Sequence, residues 1–393
     1  MTKHTWTFVS QNDRVYKSKQ AHAVPATQNT MLVCNMYDIF SILHVCTHFV
    51  LTYLAWSRCH TLQSIYAGVY CGTLCYYAFS CACVAHNSMH CKTFHSRKIE
   101  KIYQHMLTLS FGHPVLTLVP GHNLSHHRHT ESSRDPMRTS KMQYKWHFLN
   151  LLLFQPTVAW DVFRMDMRYM SMQRIMNTSY FWDTSLQWGT LLFSQIVLFC
   201  MHPPKFLLYV YLPHLFAQWA IVTMNILQHD GCSTVCHTRG AEANANTHAN
   251  RYNTARNFTG VVLNLMTFNN GFHTVHHMYP SMHWSRLREQ HNLCIKPHIH
   301  PALEQSSLCT YIFRTFVFPG KRVDYLGCPI VFTKEQPGLD QDWTIEHAPD
   351  GMTLCDYDID LGIRSLVSGL GKKRYNTNAI IPYSATKRDT HAI

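Results

Sequence analysis

Four long apolar stretches of the chain are almost free of Asp, Glu, Lys and Arg. None of these charges occurs from Cys59 to Cys91, from Thr184 to Pro204 or from Phe206 to His229, and Gln20 to Trp56 contains only Asp38. Each stretch has the length of about 20 residues that a helix needs to cross a bilayer. The pattern predicts an all-α membrane protein with four transmembrane helices in two hairpins, at about 35–56, 62–85, 185–202 and 206–228.

Two further apolar runs are interrupted and are interpreted as helices lying in the membrane interface. The run Gln104–Pro120 contains Gly112-His113-Pro114, and the run His147–Trp160 is expected to break at Pro156 because proline interrupts a helix. Residues 1–19 are polar and mixed, and no secretory signal is visible there. We therefore expect a cytosolic N-terminal segment at 1–30, one membrane domain at 31–295 and a cytosolic tail at 296–393.

The composition supports a membrane protein over a soluble one. Charged residues make up 14% of the chain, whereas soluble globular proteins have about 25%. The hydrophobic fraction of 46% excludes a disordered chain. The 15 cysteines are scattered, and reduced thiols are expected.

The distribution of cations predicts the orientation. Lys and Arg recur between Lys92 and Arg174, whereas the hairpin tips carry only Arg58 and Lys205. The positive-inside rule then assigns the central segment, both termini and all residues after His229 to the cytosol. The net charge of +12 is thus explained by topology, and no basic nucleic-acid module is found, so no nucleic-acid partner is expected. The membrane is the endoplasmic reticulum in a eukaryotic host, or the inner membrane in a bacterial one.

Histidine is unusually abundant, with 29 residues against 34 Lys and Arg. Three histidine boxes follow the predicted spans: HNSMH at 86–90, HNLSHH at 122–127 and HTVHH at 273–277, while His229 ends the fourth span. For the boxes to meet, they must lie on one face of the membrane, and four crossings allow this. Other histidines, such as His44, His48 and His214, are interpreted as packed or hydrogen-bonded side chains.

The spacing within the boxes is typical of metal ligands. Residues three or four apart share a helix face, so His86 and His90, or His273 and His277, can chelate one ion. Adjacent residues point about 100° apart on a helix, so the pair His126-His127 can serve two neighbouring metals. The boxes together contain more histidines than one transition ion can bind, which favours two metals. Imidazole ligands alone fit Zn, Cu, Fe or Ni, and the HExxH zinc-hydrolase motif is absent.

The three ordered boxes and four spans resemble the membrane fatty acid desaturase superfamily. The surrounding segments NNGFHTVHHMYP and NILQHDG are similar as well, and the resemblance covers about residues 35–295. It implies a non-haem di-iron site under a cytosolic helical cap, with dioxygen as co-substrate. It also implies hydrogen removal from an unactivated C–H bond of a fatty acyl chain. The ligands carried over are His86, His90, His122, His126, His127, His229, His273, His276 and His277. Asn225 is expected beside them, where such residues orient ligands.

The resemblance leaves the reaction and several partners open. The third box begins with His273 instead of Gln, which argues against the front-end desaturases. The HPGG motif of a fused haem donor is absent, so we expect a separate ferredoxin or haem cytochrome as electron donor. The expected substrate is a fatty acyl chain, linked to CoA, a carrier or a lipid, or free. A desaturase is favoured; a hydroxylase, a terminal-alkene-forming decarboxylase and a non-redox metal-binding membrane protein are the alternatives.

Overall fold

The computed structural model describes residues 32–58, 65–234, 251–331 and 341–344. Within these residues the fold is mainly helical. The predicted N-terminal segment 1–30 and most of the tail beyond residue 331 lie outside the described residues. The six long helices are α1 (Asp38–Arg58), α2 (Ile65–His90), α3 (Arg97–Phe111), α4 (His147–Met176), α5 (Thr178–Met201) and α6 (Pro203–His229).

Four of these helices, α1, α2, α5 and α6, are long and apolar enough to cross a membrane. The predicted all-α fold with four such helices is confirmed. Helices α2 and α6 pack along each other at the centre of the molecule. In their most apolar windows, 50% and 44% of the residues are buried, against 22% in α1 and 17% in α5. The outer pair therefore presents most of its apolar surface outward, as expected of helices that contact lipid.

Helix α3 ends where the interrupted run 104–120 predicted a break. Gly112 has φ +77°, and its N–H donates to Thr108 O at 2.9 Å. A Cβ at this position would lie 2.3 Å from Cγ of His214. Glycine is required both by the left-handed backbone and by the close approach of α6.

The predicted break at Pro156 is wrong, because α4 continues through this residue and is 30 residues long in all. Proline has no N–H to bond the carbonyl four residues earlier, which here belongs to Leu152. Trp219 of α6 supplies the missing donor, since its Nε1–H bonds to Leu152 O at 3.2 Å. The proline is tolerated because a side chain of another helix satisfies the freed carbonyl.

Short elements connect the long helices and carry most of the histidine boxes. Two short parallel strands, β1 (Asn257–Phe258) and β2 (Glu304–Gln305), pair with Asn257 opposite Glu304. The remaining helices of the described residues are α7 (Val261–Met266), α8 (His273–Met278), α9 (Leu287–Gln290) and α10 (Leu308–Ile312), a helical turn at His127–His129, π-helical turns at Val119–His126, His291–Ile295 and Phe313–Val317, and 3-10 turns at Val115–Thr117, Thr139–Lys141, Arg251–Asn253, Trp284–Arg286 and Pro301–Leu303. Residues Leu207–Tyr211 form a π-helical turn within α6.

The chain beyond residue 295 packs on the helical body wherever it is described. Tyr311 and Phe316 are buried against residues of α4 and α6. Trp343 is 2% exposed and packs against Met165 and Tyr169 of α4. The domain boundary at 295 stays a prediction, and the packed part of the chain extends past it.

Candidate metal centre

Nine histidines from distant parts of the chain meet in two compact groups. In each group the nitrogen atoms available as ligands all lie within 4.8 Å of one another. We name them the first group (His86, His90, His122, His127 and His276) and the second group (His126, His229, His273 and His277). These are the same nine residues that the sequence and the resemblance proposed.

The ends of the two central helices supply one part of each group. His86 and His90 lie one turn apart near the end of α2, and both belong to the first group. His229 is the last residue of α6 and belongs to the second group. Helices α2 and α6 therefore end at the same site, so they run in the same direction through the molecule.

The other two boxes divide between the groups. His126 and His127 are neighbours in the chain, yet they belong to the second and first group respectively, and His276 and His277 divide in the same way. Side chains of adjacent helical residues point about 100° apart. The two groups are therefore held side by side by two such pairs, one at the end of the π-helical turn Val119–His126 and one on α8.

Within each group the Nε2 atoms converge, and hydrogen bonds between the rings cannot account for all of their short contacts. Nε2 of His127 lies 2.9 Å from Nε2 of His122 and 3.0 Å from Nε2 of His276. In the second group, Nε2 of His273 lies 2.9 Å from Nε2 of His229 and 3.1 Å from Nε2 of His277. A neutral imidazole has one N–H and one lone pair, so such shared contacts cannot all be hydrogen bonds.

An ion at the centre of each group would receive these lone pairs, and the donor set fits a transition metal. Burial, followed by repulsion from neighbouring histidines, holds the pKa of His127, His276 and His277 well below its usual value. The rings are thus neutral, which is the form that binds a metal. Nε2 of His90 is buried without a hydrogen-bond partner among the described residues. The residues present therefore fit two metal ions.

Asp135 orients His126 and was missed by the sequence reasoning. Its Oδ2 accepts a hydrogen bond from Nδ1 of His126 at 2.9 Å, and the side chains are 0% and 1% exposed. Burial by itself raises the pKa of Asp135, but His126 and the N–H groups of Met137 and Glu131 outweigh it and lower the pKa below its usual value. The available signal was an acidic residue shortly after the second box, but both Glu131 and Asp135 fit that description.

Asn225 supports the loop that carries Asp135. Its Nδ2–H donates to Met137 O at 2.7 Å, and Met137 N–H donates to Oδ1 of Asp135 at 2.9 Å. Asn225 thus acts on the loop backbone instead of on a histidine, and its predicted role beside the metals stays a prediction. Nδ1 of His229 donates to Thr254 O at 3.1 Å, which directs its Nε2 into the second group.

A cavity of about 220 Å³ adjoins both histidine groups. His86 and His122 of the first group and His126 and His273 of the second border it. Most of the remaining wall is apolar, and α4 and α6 supply much of it. The apolar part of the lining includes Ala82, Phe111, Leu118, Met137, Val158, Ala159, Val162, Phe163, Ile221, Val222 and Met224. The apolar lining of such a cavity suits a hydrocarbon chain.

The comparisons with known proteins give one result that agrees with this geometry. The family model described as "Fatty acid desaturase" matches residues 60–304, which is more than half of the chain and includes all three boxes. No curated protein and no solved structure matches the chain. The ordered boxes, the four apolar helices and this match lead to one conclusion: the chain is a member of the fatty acid desaturase family.

Proposed function

We propose that this protein is an oxygen-dependent, di-iron fatty acyl desaturase that introduces a C=C bond into its substrate. The observation that carries the proposal is the position of two largely buried histidine groups at the wall of one mainly apolar cavity. Family membership supports iron as the metal and an acyl chain as the substrate. Imidazole ligands by themselves also fit zinc and copper.

Each histidine group is proposed to hold one iron. His86, His90, His122, His127 and His276 would bind the first, and His126, His229, His273 and His277 the second. The chemistry that two bound irons supply is the activation of dioxygen for hydrogen removal from an unactivated C–H bond. The protein supplies the rest: the metal positions, the substrate orientation and the exclusion of water.

The protein groups near the site have separate tasks in this proposal. Asp135 fixes the ring of His126 so that its Nε2 lone pair faces the second group. Apolar side chains such as Val158, Val162 and Phe163 of α4 keep water away from the acyl chain and hold it against the histidines. The activity therefore requires α4 to stay packed in its place, because a displaced cavity wall would misplace the reacting carbons.

The proposal includes a topology and partners. We assign the histidine boxes and both termini to the cytosol, on the positive-inside rule. Lipids would surround the outward faces of α1 and α5, which expose large side chains such as Tyr53 and Phe193. Electrons would come from a separate ferredoxin or haem cytochrome, and the membrane would be the endoplasmic reticulum or the bacterial inner membrane.

Product analysis tests the reaction. Membranes containing the full chain would receive an isotope-labelled fatty acyl substrate, dioxygen and a reduced donor, and products would be separated by gas chromatography with mass detection. We expect an acyl product that has lost two hydrogens and carries a new internal double bond. A hydroxylated product, or a shortened chain with a terminal double bond, would reject desaturation in favour of an alternative reaction.

Matched variants make this assay specific for the site. His276→Ala should abolish product formation while the protein still inserts into the membrane. His105→Ala changes a histidine outside both groups and should retain activity, because His105 is not among the clustered residues. Equal activity of the two variants would remove His276 from the proposed ligands.

A further inference from the structure

One carboxyl group in the cavity wall is not explained by the metal site. Asp166 of α4 lines the cavity and is 2% exposed. Its Oδ1 is buried and has no hydrogen-bond partner among the described residues. Buried polar groups are nearly always hydrogen-bonded, because leaving one unpaired destabilises the fold. An unpaired carboxyl in a cavity wall therefore points to a ligand that completes it.

Three other polar side chains of the wall already have partners within the protein. Asn225 donates to Met137 O at 2.7 Å, and Gln228 donates to Asn270 O at 2.9 Å. Gln218 donates to Gly112 O at 2.8 Å. These residues serve the fold, whereas Asp166 keeps its hydrogen-bonding capacity for the contents of the cavity.

The position of Asp166 relates it to the reacting end of the cavity. A Cβ built on Gly121 would lie 3.8 Å from Oδ1 of Asp166, so the carboxyl faces the residue that directly precedes His122. The same point lies 3.5 Å from Cε of Met165 and 3.9 Å from a methyl of Val162. Apart from the carboxyl, the atoms around this point are apolar, and burial raises the pKa of Asp166 well above its usual value. Burial thus favours the protonated carboxyl, whose O–H can donate a hydrogen bond.

We propose that Asp166 binds an oxygen atom of the substrate chain and thereby sets which carbon lies at the histidine groups. This inference rests on the proposed function and adds to it a substrate class: chains with an oxygen close to the carbon that is oxidised. The oxygen has two possible sources with the same chemistry, the carbonyl at the head of the acyl chain and a hydroxyl along it. An ammonium group is disfavoured, because it would require an ionised carboxylate in this apolar surrounding.

A binding experiment without turnover tests the inference. The full chain, purified in nanodiscs with its bound metal and without a reductant, would be titrated with octadecane, methyl stearate, a series of methyl hydroxystearates and octadecylamine. Ligand affinity is obtained from the rise in the unfolding temperature, which depends on ligand concentration relative to Kd. The variants are Asp166→Leu, which removes the donor, and Asp166→Asn, which retains an N–H donor.

We expect Asp166→Leu to lower the affinity for at least one oxygen-bearing ligand by about tenfold and to leave the affinity for octadecane unchanged. A site that hydrogen-bonds its ligand discriminates by at least this factor against a ligand or variant that lacks the bond. A loss of affinity for methyl stearate identifies the carbonyl as the oxygen that Asp166 binds. A loss of affinity confined to one hydroxystearate identifies a chain hydroxyl instead. Asp166→Asn should retain most of the affinity. Val162→Ala is a control that enlarges the cavity at the same wall, and it should change the affinity for all ligands alike.

Two results would overturn the inference. One is equal affinity of wild type and Asp166→Leu for every oxygen-bearing ligand, which would leave Asp166 with water alone. The other is an Asp166-dependent preference for octadecylamine. Unfolding without ligand checks the fold, because Asp166→Leu should then be at least as stable as wild type. An oxygen preference without any desaturated product would reject the proposed function alone, and a desaturated product without the preference would reject this inference alone.

Discussion

Nδ1 of His126 lies 2.9 Å from Oδ2 of Asp135, and both side chains are almost completely buried. The carboxylate accepts a hydrogen bond from the Nδ1–H group, so the lone pair of His126 remains on Nε2. That atom lies 3.2 Å from Nε2 of His277 in the second group. A loop carboxylate thus determines which ring nitrogen of a histidine is available to the metal.

The first prediction concerns this pair. Asp135→Asn should lower the affinity of the second group for iron by about 10- to 100-fold, because residues that orient metal-bound histidines contribute by that factor. Iron retention would be measured by competition with a chelator. The control is Asp161→Asn, since Asp161 bonds Lys141 at 2.6 Å and is about one-third exposed. Equal iron retention in the two variants would contradict a role for Asp135 in orienting His126.

Glu131 is expected to give the protein a pH-dependent stability. Burial, and next the charge of Asp135, raise its pKa from 4.5 to about 8. The folded state therefore keeps a proton that the unfolded state loses. The stability contributed by Glu131 is complete below pH of about 4.5 and is lost as the pH rises to about 8.

Glu131→Gln removes this dependence, because the amide stays neutral. The unfolding temperature of the variant should therefore rise relative to wild type as the pH increases from about 5 to about 8. Comparing the two proteins at each pH cancels the titration of the histidines. A difference that stays constant over this range would show that Glu131 does not titrate there.

The buried ion pair between Arg322 and Asp230 is expected to fasten the chain beyond residue 295. Nε and Nη2 of Arg322 bond the two carboxylate oxygens at 2.8 and 2.5 Å. Asp230→Asn or Arg322→Met alone should destabilise the protein by about 3–5 kcal/mol, because the remaining charge stays buried and unpaired. The double variant should lose less stability than the sum of the losses in the two single variants. Unfolding in detergent measures all three, and additive losses would contradict a direct pair.

The proposed orientation predicts that no glycan is attached at three sequons. Asn123 is half-buried and donates to Met89 O, and Asn257 is fully buried, so the fold restricts access to both. Asn177 is exposed and is the informative site. It should remain unmodified in eukaryotic cells because it faces the cytosol. As a control, a loop that contains a sequon and is inserted after His60 should be glycosylated. A glycan-dependent gel shift of the unaltered chain that disappears with Asn177→Gln would contradict the proposed orientation.

Much of the site follows from spacing in the sequence. His86 and His90 share a group because four residues make about one helical turn, and His126 and His127 separate because adjacent side chains diverge. These relationships are local and depend only on helix geometry. Four apolar stretches likewise predict four helices, because backbone polar groups must be satisfied within lipid.

Other features depend on contacts between distant residues. The continuity of α4 through Pro156 requires Trp219, which is 67 residues from Leu152 in the chain. No local rule predicts that partner, so the expected break was wrong. Asp135 reaches His126 through an irregular loop, and spacing in a loop does not determine direction. The same applies to Asp166, whose significance depends on the cavity around it.

Metal analysis of the purified chain tests the central claim most directly. Inductively coupled plasma mass spectrometry should find about two irons per chain, one for each histidine group. His276→Ala and His126→Ala should each lower the iron content, because they remove ligands of different groups, while His105→Ala should not. Zinc without iron, or a single metal ion per chain, would contradict a di-iron desaturase.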